Sequence, residues 1–400
     1  MKNLVSKADF AIVRDKVNAS IDFLHVLDDD AVRKKIEQEV SVFSKEKVFS
    51  LGQKLALAKG VFNSIRGLDV LQPLVEDDEI NEIMINGFSE IFIERKGKIE
   101  KLSYGFDSRE RLDMVIQKIV GEINRVVNEA SPIVDARLKD GSRVNIVLAP
   151  LAVDGSVMTI RKFPKKAHGI AELQGFGAIS KEAVELLKEL IAARYNIFIC
   201  GGTSSGKTTL LNALARLIPE RERLITIEDS AELQISGRQN LIRLETRNAN
   251  SEGKGEISMD ELIKTSLRMR PDRIIVGEVR GRECFSMLQA MNTGHDGSLS
   301  TGHANSPQDM ISRLEAMVLM ASQMPIEAVR RQIVSALEIM VHTTRMRDGS
   351  RKVIEISELL AKSKGEIQFR KLFSFENNKL VRCNDELENS KKLDDFKKSK

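Results

Sequence analysis

The chain has no tryptophan and only two tyrosines, Tyr104 and Tyr195, among 400 residues. That scarcity argues against an aromatic-rich loop of the kind on which single-stranded nucleic acid is held. Its charge is nearly balanced, 62 Lys and Arg against 58 Asp and Glu for a net +4, which gives little support to a dedicated nucleic-acid binder and is compatible with a local basic patch. The three cysteines, Cys200, Cys284 and Cys383, are odd in number and widely spaced. They encode neither a disulfide framework nor a paired-cysteine zinc site, and a reducing cytoplasm suits them. No apolar run approaches the roughly twenty residues of a membrane span. The charges at Lys2, Lys7, Asp9, Arg14, Asp15 and Lys16 leave no room for a signal-peptide core. Membrane contact is therefore expected to be peripheral or through a partner.

Against these absences stands one dense motif. Gly201-Gly202-Thr203-Ser204-Ser205-Gly206-Lys207-Thr208 satisfies the phosphate-loop pattern G-x-x-x-x-G-K-[ST]. The apolar run Asn196 to Cys200 before it reads as a buried strand, and Leu210, Leu211, Leu214 and Leu217 after it recur at helical spacing. Glycines 201, 202 and 206 let backbone N–H groups close on phosphate at the positive end of that helix. Lys207 is expected to reach the β- and γ-phosphates and Thr208 a magnesium ion. Thr209 continues the first turn and is counted with the nucleotide-binding set.

Residues 1–66 read as a charged helical bundle with stripes at Val17, Ile21, Leu24 and at Leu51, Leu55, Ala58, an adaptor or spacer without a catalytic constellation, in which His25 fills surface or core. Residues 68–163 change period. Strands flank Arg95-Lys96-Gly97, a helix is predicted over Arg109 to Val127, and Lys139-Asp140-Gly141-Ser142 reads as a hairpin turn. This α+β module carries Arg137, Arg143 and Arg161 on or beside strands, either as solvated charges or as groups that reach a nucleotide phosphate.

Glycine-bearing residues 164–177 suggest a linker, and residues 178–345 a nucleotide domain. There Leu224 to Ile227 reads as a buried strand ending in Glu228-Asp229, a place for a metal shell or a water-positioning group, with helix capping as the alternative for Asp229. Arg238 to Gly255 reads as irregular, and Leu262 to Arg270 as a helix stopped by Pro271. Arg273 to Val276 is another buried strand, and Glu278 beyond Gly277 is long enough to take a proton from water as a general base. His295 and His303, each after a glycine, flank a short strand; with no third ligand nearby they point to phosphate or to the neighbouring acid rather than to zinc. Helices are predicted over Met310 to Val318 and Ile326 to Leu337, then a closing strand at Ile339 to Thr344. Residues 346–400 suggest a small separate sheet and a disordered charged tail.

Four stretches in this order, Gly201 to Thr208, Thr226 to Glu232, Leu267 to Gly281 and the double Gly-His segment, resemble the type II/type IV secretion ATPase superfamily, nearest its tight-adherence pilus assembly branch. The zinc-binding tetracysteine insertion of the type II branch is absent. The resemblance covers about residues 68–345. It implies an α/β, RecA-like P-loop domain behind an α+β N-terminal domain, assembled as a homohexamer that hydrolyses ATP with Mg²⁺. It places Glu228, Asp229 and Glu232 in an acidic box, Glu278 at the end of an atypical second signature, and His295 and His303 in a histidine box. It also favours at least one of Arg137, Arg143 and Arg161 as a contact of the γ-phosphate. The implied partners are inner-membrane platform proteins of a pilus or secretion system, met from the cytoplasm, with no nucleic acid. A RecA-like nucleic-acid translocase or helicase is the alternative, which low basicity and few aromatics disfavour.

Overall fold

In a computed structural model the chain is described at residues 5–21, 28–95, 97–123, 125–163, 167–235, 237–249, 254–362, 366–384 and 386–399. Leu24, His25, Lys96 and the first three residues of the expected linker lie outside them. The chain divides into two compact units, residues 1–165 and 166–400.

The first unit begins with three helices, α1 (Lys7–Ser20), α2 (Asp29–Glu46) and α3 (Leu51–Ile65). Ser6, Asp28 and Ser50 cap them by accepting from the N–H three residues on. Val13, Val17, Val32, Ile36, Leu57 and Val61 close a small core between them. After α4 (Gln72–Glu76) come β1 (Ile80–Asn86), β2 (Glu90–Arg95), β3 (Lys98–Lys101), α5 (Arg109–Glu122), β4 (Ile133–Arg137), β5 (Arg143–Val147) and β6 (Val157–Arg161). The strands form one antiparallel sheet in the order β3-β2-β1-β6-β5-β4.

Side chains alternate across a sheet. Ile83, Ile85, Val144, Ile146, Met158 and Ile160 therefore share one face and are buried with Leu112, Ile116 and Ile119 of α5. The opposite face carries the arginines in one row: Arg137 is paired across the ladder with Arg143, Arg143 with Arg161, and Arg161 with Glu82. Helix α5 stops at Glu122, before the predicted Val127.

The second unit holds α6 (Ile170–Gly175), α7 (Lys181–Ala192), β7 (Ile197–Gly201), α8 (Lys207–Ala215), β8 (Leu224–Glu228), β9 (Leu241–Glu245), α9 (Met259–Ser266), β10 (Arg273–Val276), α10 (Glu283–Asn292), β11 (Leu299–His303), α11 (Pro307–Ala321), α12 (Ile326–Ala336), β12 (Ile339–Arg345), β13 (Arg351–Ala361), β14 (Ile367–Glu376), β15 (Lys379–Arg382) and α13 (Lys391–Lys398). One nine-stranded sheet runs β15-β14-β13-β12-β7-β11-β10-β8-β9. From β12 to β9 it is parallel, as strand–helix alternation requires. Strands β7, β8 and β10 are buried along their whole length, which explains their continuous apolar runs. Hydrophobic cores lie on both faces.

Four expectations are corrected here. The stretch read as irregular contains β9, an edge strand only half covered, so its signal is weak. The expected linker contains α6, with Leu173 buried against the core that α7 and α8 share. The C-terminal strands are no separate sheet: β13 pairs along β12 and extends the main one. The charged tail folds as α13, where Leu393 is buried and the Lys392 ammonium pairs with Asp296 at 2.8 Å and Glu338 at 2.9 Å. All three cysteines are free. No helix of the described residues is long and apolar enough to cross a membrane.

Candidate functional site

Parallel strands deliver their carboxyl ends to one edge, and the loop from Gly201 to Gly206 leaves β7 there. Ser204 (φ +57) and Gly206 (φ +95) adopt left-handed backbone, the conformation that turns consecutive N–H groups toward an anion. Gly206 caps α8, whose positive end adds to that potential. A side chain at Gly201 would collide with Thr343 of the neighbouring β12, so only glycine lets the two strands meet. Ser205 Oγ lies 2.9 Å from Thr343 Oγ1, while Thr203, Ser204 and Thr208 are exposed and Thr209 half-buried.

Lys207 is buried, with 6% of its surface exposed. Its ammonium donates to the carbonyls of Gly202 (2.9 Å) and Gly201 (3.2 Å) and lies 3.1 Å from His303 Nδ1. His303 ends β11, directly beside Gly201. Burial is the largest influence on this imidazole and lowers its pKa; Glu278 opposes the shift and Lys207 adds to it. A neutral ring has one free nitrogen lone pair, and Nδ1 is placed to accept from Lys207. The other nitrogen, Nε2, stands 3.0 Å from Glu278 Oε1. That contact is one of proximity: Oε1 is buried and makes no aligned hydrogen bond.

Glu278 Oε2 accepts from Arg280 at 3.0 Å, and this bond raises the guanidinium's pKa further. Arg280 also stands 3.5 Å from Asp229. Lys207, His303, Glu278, Arg280 and Asp229 thus form a continuous line of alternating groups along the carboxyl edge. The motif alone gives Arg280 no role, although its position two residues beyond the acid is a usable signal.

Two expected site residues fall elsewhere. His295 lies ahead of β11, at the amino end of the sheet, where Nδ1 is 3.2 Å from Ala290 O. About 13 Å of strand separates that end from the phosphate loop, so the paired Gly-His pattern overstated a shared role. Glu228 ends β8, which stands three strands from β7, or about 14 Å. Its Oε2 turns into its own loop and accepts from the N–H of Glu232 (2.8 Å) and Leu233 (3.0 Å). It therefore holds its own loop and stands away from a metal at Thr208. Burial pushes its pKa up to about 7 against those two N–H groups, and Oε1 has no hydrogen-bond partner.

Among the described residues no three His, Cys, Asp or Glu side chains converge on a metal position. Magnesium held by one hydroxyl, phosphate oxygens and waters needs no such cluster, and exposed Thr208 at the first turn of α8 fits that use. The arginine row of the first unit is a separate feature. Like charges directly opposite one another destabilise a strand pair, yet Arg143 has an arginine on both sides. Phe163 lies 6.0 Å from the Arg137 guanidinium and 5.6 Å from that of Arg143.

A family model described as type II/IV secretion system protein matches residues 65–387. A Mycobacterium tuberculosis protein named for conjugal transfer is 32% identical over 320 residues, covering 78% of this chain and 90% of that protein. The type IV secretion system protein VirB11 of Brucella suis is 30% identical over 311 residues, covering 71% of this chain and 86% of VirB11. The solved ATPase DotB of Legionella pneumophila, 19% identical, shares the fold with a TM-score of 0.52 over 73% of this chain and 80% of DotB.

Proposed function

The chain belongs to the type II/IV secretion system protein family, and from that premise we propose that it is an ATPase motor that hydrolyses ATP to ADP and phosphate. The observation that carries this reading is the line from Lys207 through His303 to Glu278 beside the phosphate loop. The second unit is read as RecA-like and the assembly as a homohexamer. It works at the cytoplasmic face of an inner membrane through platform proteins of a secretion system or pilus, of which the tight-adherence type is the nearest candidate.

In this reading the loop N–H groups and the Lys207 ammonium hold the β- and γ-phosphates. The Glu278 carboxylate takes the proton from the attacking water, while Arg280 on Oε2 orients it and His303 stands beside Oε1. Asp229 orients Arg280. A magnesium ion at Thr208 would supply charge neutralisation of the phosphates. One of Arg137, Arg143 and Arg161 adds charge to the transferring phosphoryl group.

The test is phosphate release by the purified full chain, with and without single-stranded DNA, beside Lys207→Ala. Turnover that needs Lys207 and ignores DNA is expected. Undiminished turnover in a folded Lys207→Ala variant rejects the site, and strong DNA stimulation would favour a nucleic-acid translocase.

A further inference from the structure

The phosphate loop is held from behind by a hairpin that nothing in its motif encodes. Strand β12 presses Thr343 against Gly201 and Ser205. Strand β13 then returns antiparallel, and its first residue, Arg351, reaches back to the loop. The Arg351 Nε donates to the Ser204 carbonyl at 3.2 Å. Its stem lies over Gly206: a Cβ built there would stand 3.5 Å from Arg351 Cβ and 3.6 Å from Cγ. One side chain therefore bonds one left-handed residue of the loop and lies alongside the other. Lys352, next along, donates to the carbonyl of Gly177 at 2.7 Å and anchors the strand's start to the turn before α7.

A serine in left-handed backbone is strained and persists only where its surroundings hold it. Without a clamp the loop would spend time in relaxed forms that do not bind phosphate, and apparent affinity falls in proportion to the population lost. The ladder also places Arg345 directly opposite Arg351. Among the described residues, the hydrogen bond to Ser204 is the polar contact that fixes Arg351 in that unfavourable pairing.

We propose that Arg351 is a positioning residue for the nucleotide, acting from the same chain and holding the phosphate loop in its anion-binding shape through Ser204 and Gly206. This rests on the reading of the loop as an ATP site. It differs from an arginine that neutralises the γ-phosphate, because a clamp sets affinity more than turnover.

The experiment uses the full chain, with ADP and magnesium as the binding probe and ATP for steady-state kinetics. Arg351→Ala is expected to weaken ADP binding and raise KM for ATP by about tenfold, the scale of one charged hydrogen bond, with kcat falling less than about threefold. Arg351→Lys keeps the charge and most of the stem but lacks the guanidinium N–H, so a loss of at least about threefold remains expected. Ser204→Gly removes the strain, since glycine adopts the left-handed form freely. In that background Arg351→Ala should cost less than about threefold. ADP affinity within twofold of wild type in Arg351→Ala or in Arg351→Lys overturns the clamp. An undiminished loss in the Ser204→Gly background overturns it too, assigning Arg351 to direct contact with phosphate. Wild-type protein that binds no ADP would instead refute the nucleotide site on which the inference stands.

Discussion

Gly277 lies against Glu228 so closely that a Cβ at position 277 would stand 3.0 Å from Glu228 Cγ. The two residues end adjacent parallel strands, and the Gly277 N–H donates to Ile227 O at 2.8 Å. A side chain at position 277 would crowd the neighbouring Glu228 side chain, which favours glycine between the buried strand and Glu278. The expected outcome for Gly277→Ala is a loss of about 1–3 kcal/mol, from overpacking alone. The double variant with Glu228→Ala should recover part of it, because the clashing Cγ is gone. Denaturant unfolding of the four proteins of that cycle measures the coupling, and strictly additive losses would reject the contact as the reason for the glycine.

Glu228 also makes stability depend on pH in an unusual direction. Burial raises its folded pKa to about 7 from an ordinary 4.5, so between those values the folded state binds more protons than the unfolded state. Stability from this group is therefore present at low pH and lost as pH rises through about 7, by about 3 kcal/mol in all. Glu228→Gln keeps an acceptor for the Glu232 and Leu233 N–H groups and cannot ionise. It is expected to be more stable than wild type at pH 8 and nearly equal at pH 5. Thermal melts at the two pH values decide the matter; equal differences at both would mean that Glu228 is charged throughout.

For the proposed base, Glu278→Gln keeps the size of the side chain and an acceptor for Arg280 but cannot take a proton. Turnover is expected to fall roughly 10²-fold or more while ADP still binds. His303→Ala should behave differently, since it removes the ring that touches both Lys207 and Glu278. It is expected to lower turnover and ADP affinity together. If Glu278→Gln loses nucleotide as well, the carboxylate holds the site's shape, and the base must be sought elsewhere.

What the sequence shows depends on how local the signal is. The phosphate loop, its strand and its helix lie in one continuous stretch, and the fully buried strands read directly as apolar runs. Strand β9 escaped because an edge strand is half solvated and its Leu-Ile-Arg-Leu-Glu pattern resembles surface. Helix α13 escaped because its hydropathy is that of a disordered tail; it is fixed by distant partners, Lys392 with Glu338 and Tyr195 Oη donating to Asn389 O. His295 was misplaced because two Gly-His pairs look alike in sequence, whereas a strand carries them to opposite ends of the sheet. Arg351 was invisible for the opposite reason: it stands far from Ser204 in sequence and meets it only through the pairing of β12 with β7 and β13.

The arginine row supports the last expectation. Arg137, Arg143 and Arg161 occupy opposed positions on three adjacent strands, which gathers positive charge in one row. A leaving γ-phosphate needs positive charge beyond one lysine and a metal ion, and an arginine in that role contributes about 10³ to 10⁵ in rate in related phosphoryl transfers. At least one of Arg137→Ala, Arg143→Ala and Arg161→Ala is therefore expected to cut turnover severely while changing ADP affinity much less. The same argument predicts a fragment's behaviour. A cut after residue 345 would remove β13, which pairs with β12 and carries Arg351, so the suitable fragment is 167–400. Its two cores draw only on residues within it, and it should fold, bind ADP and barely hydrolyse ATP. Turnover and affinity measured on the fragment and on the three full-length variants test both halves together. Full turnover in the fragment would make the three arginines ordinary surface charges and leave the line from Lys207 to Glu278 sufficient for hydrolysis.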